Sequence, residues 1–199
     1  MTFDLLTALT TFAFVTVMTP GPNNLMLMAS GTNFGFSRTI PHMLGITLGF
    51  PLMVICVGLG VMQVFDMWPL SYKLLKVASV VYLLYLAWKI AHAAAPREAS
   101  AEGKPLTFLQ SAAFQWVNPK AWSMGLSAIT LYATGRDPSS LLWVAGVYVV
   151  VSGLSTTSWT LLGQQMRRLL KNQFRLRVFN RVMAALLVAT LIPVLWPAH

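Results

Sequence analysis

Two proline-containing breaks interrupt apolar stretches of the chain, one in each half. The first covers residues 19–24, Thr-Pro-Gly-Pro-Asn-Asn, and the second covers residues 118–120, Asn-Pro-Lys. Proline removes a backbone donor and clashes with the preceding helical turn, so each break frees carbonyl and amide groups. In a membrane helix such groups are tolerated only where they face protein or a wet cavity. Broken apolar segments at matching positions of two halves are typical of a site where a membrane protein binds a solute.

The composition indicates that most of the chain is embedded in a membrane. Hydrophobic residues make up 56% of it and charged residues only 10%, against about 25% charged in an ordinary soluble domain. A chain of 199 residues has room for about six helical spans of roughly 20 residues each. The apolar segments cover approximately residues 3–30, 39–61, 69–91, 108–133, 141–163 and 178–195.

One hydrophilic linker divides the apolar segments into two groups of three. We therefore predict an all-α integral membrane protein with a single transmembrane domain over residues 1–199. Repeat one covers about residues 1–92, the linker about 93–106 and repeat two about 107–199. Because three spans per half is an odd number, related halves must have inverted topologies, with spans 1 and 4 broken at proline. Inverted repeats place a shared site near the membrane midplane and alternate its access to the two sides.

The basic residues predict the orientation in the membrane. Ten of the 14 Lys and Arg residues fall in the first, third and fifth loops, three fall on the opposite side, and only Lys120 lies within a span. The positive-inside rule then places the linker in the cytoplasm and both termini on the periplasmic side of a bacterial inner membrane. The net charge of +9 is spread over loops rather than over one soluble face, so we predict no nucleic-acid partner.

Each break has the sequence of a new helix start. Asn118 is a good N-cap with Pro119 at the first helical position, and Gly21-Pro22 offers a similar restart in the first span. A half-helix N-terminus presents free amides and partial positive charge, which suits a substrate carboxylate. Lys120 adds a full charge, while freed carbonyls and nearby amide side chains suit an ammonium group. The predicted binding residues for a small zwitterion are Gly21, Pro22, Asn23, Asn24, Gln115, Asn118, Pro119 and Lys120.

Architectural interpretations compete with a binding role at these positions. Proline kinks in membrane helices are often purely structural, although two of them at matching positions favour function. Lys120 would reach the membrane surface only if its span were offset, and a charge near the span centre costs at least about 2.5 to 3.5 kcal/mol. Our hypothesis is that Lys120 meets a substrate carboxylate or changes protonation during transport.

Several other residues have weaker signals. Gly45 and Gly49 form a small-xxx-small pair that close helix packing explains. Residues 155–160 are rich in hydroxyl groups, which would either line a polar path or bond to their own helix backbone. His42, near the cytoplasmic entrance of the second span, is either a proton carrier or an interfacial side chain without a role. Residues 166–181 form a basic, partly amphipathic segment that we expect to rest on anionic lipid.

Three other classes of function have little support in the sequence. A thiol-redox carrier needs two cysteines in exchange range, and Cys56 is alone. A cation or metal-ion channel, the main alternative, is expected to show acidic rings or ligand clusters, and none is visible. An intramembrane enzyme would need a constellation of His, Cys or carboxylate groups, which is also not visible. We predict no enzyme activity, no cofactor and no bound metal, and a homo-oligomer is compatible with all of these patterns.

Taken in order, several motifs resemble the LysE/RhtB superfamily of amino-acid exporters. They are the first break, residues 35–38 (Gly-Phe-Ser-Arg), the stretch from Gly45 to Gly49, residues 87–90 (Ala-Trp-Lys-Ile) and residues 114–120 (Phe-Gln-Trp-Val-Asn-Pro-Lys). The resemblance covers nearly the whole chain and is strongest to the branch that contains the cysteine and O-acetylserine exporters.

The resemblance implies efflux of a small neutral amino acid or derivative across the inner membrane, driven by the proton motive force. Cysteine, O-acetylserine, homoserine and threonine are the substrates it suggests. Basic-amino-acid exporters of the superfamily use carboxylates within their spans. Here the acidic residues lie near segment ends or in linkers, which argues against lysine or arginine as the substrate. They are Asp4, Asp66, Glu98, Glu102 and Asp137.

Overall fold

The computed structural model describes residues 2–61, 63, 67–68, 70–93, 103–133, 138–170 and 172–195. Within these ranges the chain forms helices and no strand, so the all-α prediction is confirmed for this part of the protein. The helices are α1 (Phe3–Met18), α2 (Pro22–Phe34), α3 (Phe36–Cys56), α4 (Leu70–Ala91), α5 (Phe108–Gln115), α6 (Pro119–Tyr132), α7 (Pro138–Leu169), α8 (Gln173–Ala189) and α9 (Ile192–Leu195). A π-helical turn, Val57–Val61, extends α3.

Three helical segments in the described ranges are long and apolar enough to cross a membrane: Phe36–Val61, Leu70–Ala91 and Pro138–Leu169. The pair α1 and α2, bent by 56° at the first break, makes a fourth if it is one broken span. The helix ends agree with the predicted segments to within six residues.

The structure does not show the predicted fourth and sixth spans as such. The fourth is divided into α5, with 8 residues, and α6, with 14, each too short to cross a bilayer alone. The sixth corresponds to α8, which has 17 residues and carries Arg175, Arg177 and Arg181 in its first half. The basic segment 166–181 is therefore not one unit, because its start belongs to the end of α7 and its last part to α8.

Two large apolar clusters and a smaller third one form the interior, and the chain passes between the two large clusters at each break. The first cluster lies among α1, α3, α6 and α7, and the second lies mainly among α2, α4 and α8. The first break takes the chain from Ala13 in the first cluster to Leu25 in the second. The second break takes it back, from Phe114 in the second cluster to Ala121 in the first. Both breaks therefore lie at the boundary between the clusters.

Glycines allow two pairs of helices to pack with their backbones in contact. A Cβ atom at Gly163 of α7 would collide with the carbonyl oxygen of Met28 on α2. A Cβ atom at Gly45 of α3 would collide with the carbonyl oxygen of Phe108 on α5, and one at Gly49 would lie 2.7 Å from the Cα of Ala112. The packing interpretation of Gly45 and Gly49 is confirmed, and their partner is α5. These contacts hold α2, which follows the first break, against α7, and α5, which precedes the second break, against α3.

Candidate substrate-binding site

The first break leaves α2 without a side-chain cap. Gly21 is the N-cap residue, with an extended φ of −169°, and Pro22 is the first helical residue. The carbonyls freed by the break are reached by a side chain from the following helix. Nδ2 of Asn24 donates to the carbonyl oxygens of Val17, at 2.8 Å, and Thr19, at 3.0 Å. The amides of the first turn of α2 are thus left for another acceptor.

The second break pairs two of its polar groups with side chains of its own sequence. Asn118 is the N-cap of α6, and its Oδ1 accepts a hydrogen bond from the backbone N–H of Lys120 at 3.1 Å. Nε1 of Trp122 donates to the carbonyl oxygen of Trp116 at 2.8 Å. The predicted restart of the helix at Asn118 and Pro119 is therefore observed, as is the restart at Gly21 and Pro22.

Lys120 joins the two breaks. Its Nζ donates to the carbonyl oxygen of Thr19 in the first break. Its side chain crosses Gly21 so closely that a Cβ atom there would lie 2.6 Å from Cδ of Lys120 and 3.0 Å from Nζ. Among the described residues Lys120 has no carboxylate partner, and Thr19 is its one hydrogen-bond acceptor. An ammonium group has three N–H donors, so two remain for a ligand.

A reciprocal amide pair also joins the breaks. Nδ2 of Asn23 donates to Oε1 of Gln115 at 2.8 Å, and Nε2 of Gln115 donates to Oδ1 of Asn23 at 3.2 Å. Gln115 is fully buried and also donates to the carbonyl oxygen of Ser111, at 2.9 Å. This pair holds the start of α2 against the end of α5.

A small cavity lies beside these contacts. Its volume, counted as the space that the centre of a water molecule can occupy, is about 30 Å³. That is room for about two water molecules and too little for an amino acid. Five of the eight predicted binding residues line it: Gly21, Asn23, Asn24, Asn118 and Lys120. The other lining residues are Val17, Ile46, Phe50, Met124, Ser152, Ser155 and Thr156.

A larger cavity lies on the other side of Lys120. Its volume on the same measure is about 590 Å³, and it shares Gly21 and Lys120 with the small cavity. Pro22 and Pro119 line this larger cavity rather than the small one. Lys120 and Gly21 therefore lie between a small cavity and a large one.

The structure places one predicted residue outside both cavities and adds several that the sequence did not indicate. Gln115 lines neither cavity and acts through Asn23. Phe50 and Met124 line the small cavity, and Thr190 and Pro193 line the larger one. Thr190 and Pro193 follow the end of α8, so a third interruption of a helix meets the two breaks. In the sequence, Pro193 is the residue that indicates this interruption.

The hydroxyl-rich stretch of α7 divides into two faces. Ser155 and Thr156 are buried and line the small cavity, and Oγ of Ser155 donates to the carbonyl oxygen of Val17 at 3.3 Å. Ser158 is exposed and donates to the carbonyl oxygen of Leu154 in its own helix, at 2.8 Å. Bonding to the helix backbone is therefore observed on both faces, since Oγ1 of Thr156 also donates to the carbonyl oxygen of Gly153 at 3.2 Å, and a polar path along Ser155 and Thr156 stays a prediction.

The polar groups of the site suit a small zwitterion. Lys120 and the uncapped first turn of α2 offer donors to a carboxylate, while the carbonyls of Val17 and Thr19 are acceptors for an ammonium group. The described residues hold no group of three or more His, Cys, Asp or Glu side chains that could bind a metal ion. Apolar helices carrying such a site at two helix breaks define a class of membrane protein that translocates small solutes.

Comparison with known proteins identifies the family. Residues 14–192 match the family described as LysE type translocator, so the chain belongs to the LysE family. It is similar to the cysteine/O-acetylserine efflux proteins of Escherichia coli (strain K12), Escherichia coli O9:H4 (strain HS) and Shigella sonnei (strain Ss046). Each is 36% identical over 193 residues, which cover 94% of this chain and 96% of the relative. No solved structure gives a significant match. The predicted resemblance is confirmed, and the relatives are efflux transporters rather than enzymes.

Proposed function

We propose that this protein is an inner-membrane exporter of a small neutral amino acid or derivative, with cysteine and O-acetylserine as the first candidates. The family and the efflux function of the relatives support export of an amino acid. The observation that carries the assignment of the site is the contact of Lys120 with the carbonyl oxygen of Thr19 beside a small polar cavity. In this proposal, the substrate carboxylate takes the two free donors of Lys120 and the first-turn amides of α2.

The ammonium group of the substrate occupies the acceptors of the first break. The carbonyls of Val17 and Thr19 are now bonded by Asn24, Ser155 and Lys120. A substrate ammonium group exchanges with these donors without leaving a buried carbonyl unpaired. The apolar side chains of Ile46, Phe50 and Met124 suit a small, uncharged substrate side chain. Among the described residues the one acid is Asp4, at the start of α1, so a basic side chain has no partner in this site.

We further propose that the six predicted spans form two inverted repeats. Spans 1 to 3 are α1–α2, α3 and α4, and spans 4 to 6 are α5–α6, α7 and α8–α9. The most extensive contacts join span 1 to span 5, span 4 to span 2, span 2 to span 5, and span 3 to span 6. Exchange of the halves maps this set of contacts onto itself. That property supports the repeat arrangement.

Alternating access is supported by the unequal packing of the two ends. The backbone contacts of Gly163 with α2 and of Gly45 with α5 lie toward the linker end of the bundle in this topology. The larger cavity reaches Lys120 between the breaks and the end of α8, toward the opposite end. We propose that the structure represents the state closed on the linker side, and that transport closes the larger cavity as the glycine contacts separate.

The basic loops support an orientation with the linker in the cytoplasm and the termini in the periplasm. A single cysteine at Ser100, in a Cys56→Ser background, tests it with a membrane-impermeant thiol reagent on spheroplasts. We expect no labelling until the membrane is opened. Labelling of intact spheroplasts would reverse the orientation and leave the export assignment to be tested separately.

Counterflow in proteoliposomes tests the function. Vesicles loaded with L-cysteine, O-acetyl-L-serine, L-homoserine, L-threonine or L-lysine are mixed with the same labelled compound, with and without an imposed proton gradient. We expect accumulation of at least one neutral compound, none of L-lysine, and acceleration by a gradient that is acid on the side that the substrate enters, because protons then move down their gradient in exchange for substrate. Absence of counterflow for all neutral compounds would refute the proposal.

The same vesicles test the cation-channel alternative. A cation channel is expected to have acidic rings or ligand clusters, whereas the described residues include one acid, Asp4, and no group of three or more His, Cys, Asp or Glu side chains. We therefore expect no cation conductance above that of protein-free vesicles. Conductance without amino-acid counterflow would favour the channel.

A further inference from the structure

A third cavity lies away from Lys120, toward the linker. Its volume, on the same measure as the other two cavities, is about 50 Å³. It is enclosed by the second half of α2, by His42 of α3, by the end of α4 and by residues 104–106. It shares no lining residue with either cavity beside Lys120. Its centre on α2, near Ser30, is about seven residues from Asn23, or roughly 10 Å along the helix.

His42 is the unexplained group in this cavity wall. Its side chain is 1% exposed, and neither Nδ1 nor Nε2 has a hydrogen-bond partner among the described residues. A neutral imidazole has one N–H donor and one acceptor nitrogen. Leaving both unpaired in a buried position is costly. The ring therefore lacks both an acceptor for its N–H and a donor to its other nitrogen.

The other buried polar side chains in the wall are already paired. Ser30 shares a hydrogen bond of 2.9 Å with Thr39. Asn33 and Asn180 exchange two hydrogen bonds, at 2.9 and 3.0 Å. These bonds hold the cavity wall together, and among its buried polar side chains they leave His42 free to bind a ligand.

Two cations also line the cavity. Lys89, at the end of α4, and Lys104, before α5, are both in the wall. Neither has a carboxylate partner among the described residues, where Asp4 at the start of α1 is the one acid. The remaining wall is apolar and includes Leu86, Ile90 and Leu106. A ligand that complements this set has a carboxylate, a hydrogen-bond donor and a short uncharged body.

We propose that this cavity is a second binding site for a free α-amino acid, on the linker side of the protein. The substrate carboxylate lies between Lys89 and Lys104, and the substrate ammonium group donates to one nitrogen of the His42 imidazole. A water molecule pairs with the second ring nitrogen, because the two partner positions of an imidazole are too far apart for one α-amino acid to reach both. The inference rests on the proposed function, because it places the same class of substrate at a second position, where it would wait before reaching Lys120.

Binding stoichiometry tests the proposal. The full chain is reconstituted in phosphatidylcholine nanodiscs, and the binding of radiolabelled L-cysteine, kept reduced, is measured by equilibrium dialysis. We expect two sites per chain in the wild type. The double variant Lys89→Met, Lys104→Met should retain one site. The matched control Lys73→Met, Lys76→Met removes two exposed lysines from the opposite end of the same helix and should retain both.

His42→Leu separates a ligand contact from an unpaired core histidine. Replacing a buried, unpartnered imidazole with an apolar group of similar size should keep or raise the melting temperature. We expect this variant to fold and to bind one equivalent instead of two. Retention of both sites would show that His42 is an unpaired core residue and would overturn the proposal.

Lys120→Met distinguishes failure of this inference from failure of the proposed function. If the central site and the second site both exist, Lys120→Met retains one site and loses export. A wild type with one site that Lys120→Met abolishes would overturn the second site alone. The third outcome is one site in the wild type that is kept in Lys120→Met and lost in Lys89→Met, Lys104→Met. That outcome would support this cavity and refute the central site.

Competitors identify the ligand chemistry in the Lys120→Met background. Propionate should displace L-cysteine more weakly than unlabelled L-cysteine does, because it has the carboxylate but no ammonium group. n-Propylamine, which has no carboxylate, should not displace it. If inorganic phosphate displaces L-cysteine as well as L-cysteine itself does, the cavity binds phosphate or a lipid headgroup, and the amino-acid assignment is wrong.

Discussion

The two helix breaks have related sequences but differ in how their polar groups are satisfied. At the second break, Asn118 caps α6 and Trp122 bonds the carbonyl of Trp116, so its partners lie within six residues. At the first break, α2 has no side-chain cap, and the carbonyl of Thr19 accepts from Asn24, five residues away, and also from Lys120, 101 residues away in sequence. The start of α6 is therefore capped locally, whereas the uncapped first break takes an additional, charged donor from the other half of the chain.

This difference indicates which break exchanges partners during transport. A locally capped helix start keeps its geometry when its neighbours move, because its hydrogen bonds move with it. A carbonyl bonded by a side chain of another helix loses that partner when the helices separate, and a ligand can then take the partner's place. We therefore assign substrate exchange to the first break and to Lys120, and a fixed geometry to the second break.

The largest expected effect is that of Lys120→Met. The substitution keeps much of the apolar stem, but removes the charge and the donor that joins the breaks. Hydrogen bonds to charged groups contribute about 1.5 to 3 kcal/mol, which corresponds to roughly a 10- to 150-fold loss. We expect counterflow in proteoliposomes to fall by at least about tenfold at equal protein content.

Two further variants show whether the loss belongs to this position. Lys73→Met removes an exposed lysine from α4 and should leave counterflow unchanged. Lys120→Arg keeps the charge, changes the donor geometry and resists deprotonation. Binding retained with turnover lost in the arginine variant would indicate proton transfer by Lys120. If the methionine variant has wild-type counterflow, Lys120 does not bind substrate, and the assignment of substrate exchange to the first break is wrong.

The sequence predicted the breaks well because the signals are local. Proline fixes the backbone and removes a donor wherever it occurs, and asparagine before proline is a strong helix start. The same reasoning identified Lys120, since a charge in an apolar span is rare enough to need a reason. What the sequence could not give was the pairing. Nothing local indicates that Lys120 bonds Thr19 or that Asn23 pairs with Gln115.

The apolar walls of the site were also beyond sequence reasoning. Phe50 and Met124 line the small cavity, yet in a chain with 56% hydrophobic residues they resemble any core residue. Thr190 and Pro193 line the larger cavity at the end of α8, where a proline near a helix end has an ordinary explanation. Long-range packing decides which of many similar side chains meet the site.

Gly21→Ala tests the close approach of Lys120 at the first break. The φ of Gly21 is −169°, an extended value that alanine also adopts, so no backbone strain is expected. The added Cβ atom would lie 2.6 Å from Cδ of Lys120 and must push that flexible side chain away from Thr19. Because Lys120 keeps its charge and loses only part of this contact, a cost of about 1 kcal/mol predicts a roughly fivefold loss of counterflow, with the helices retained by circular dichroism.

Gly146→Ala is the matched control, because a Cβ atom at Gly146 of α7 has no atom within 4 Å. Alanine in a helix is favoured over glycine by about 0.5 to 1 kcal/mol, so this variant should be slightly more stable and should transport normally. Equal losses of transport in Gly21→Ala and Gly146→Ala would show that the effect at Gly21 does not come from Lys120.

Asn118→Ala tests the independence of the second break. Loss of an N-cap costs about 1 kcal/mol, which lowers the melting temperature of a chain of this size by roughly 2 to 4 °C. Asn172→Ala is the matched control, because Oδ1 of Asn172 caps α8 by accepting from the N–H of Phe174 at 2.8 Å, away from all three cavities. We expect similar losses of stability in both variants and counterflow within about twofold of wild type. A much larger loss of counterflow in Asn118→Ala would make Asn118 a ligand contact and contradict the division of roles.

The smallest effect is expected from Ser155→Ala, which removes the weakest donor at the first break. Oγ of Ser155 reaches the carbonyl oxygen of Val17 at 3.3 Å, and Asn24 bonds the same carbonyl at 2.8 Å. The carbonyl therefore stays paired in the variant, and a long, redundant bond contributes at most about 0.5 kcal/mol, or roughly a twofold change in counterflow. Ser158→Ala is the control, because Ser158 is exposed and bonds its own helix; it should have no effect. If Ser155→Ala reduces counterflow as much as Gly21→Ala does, the hydroxyl contacts the substrate directly, and the exchanging side of the site extends from the first break onto α7.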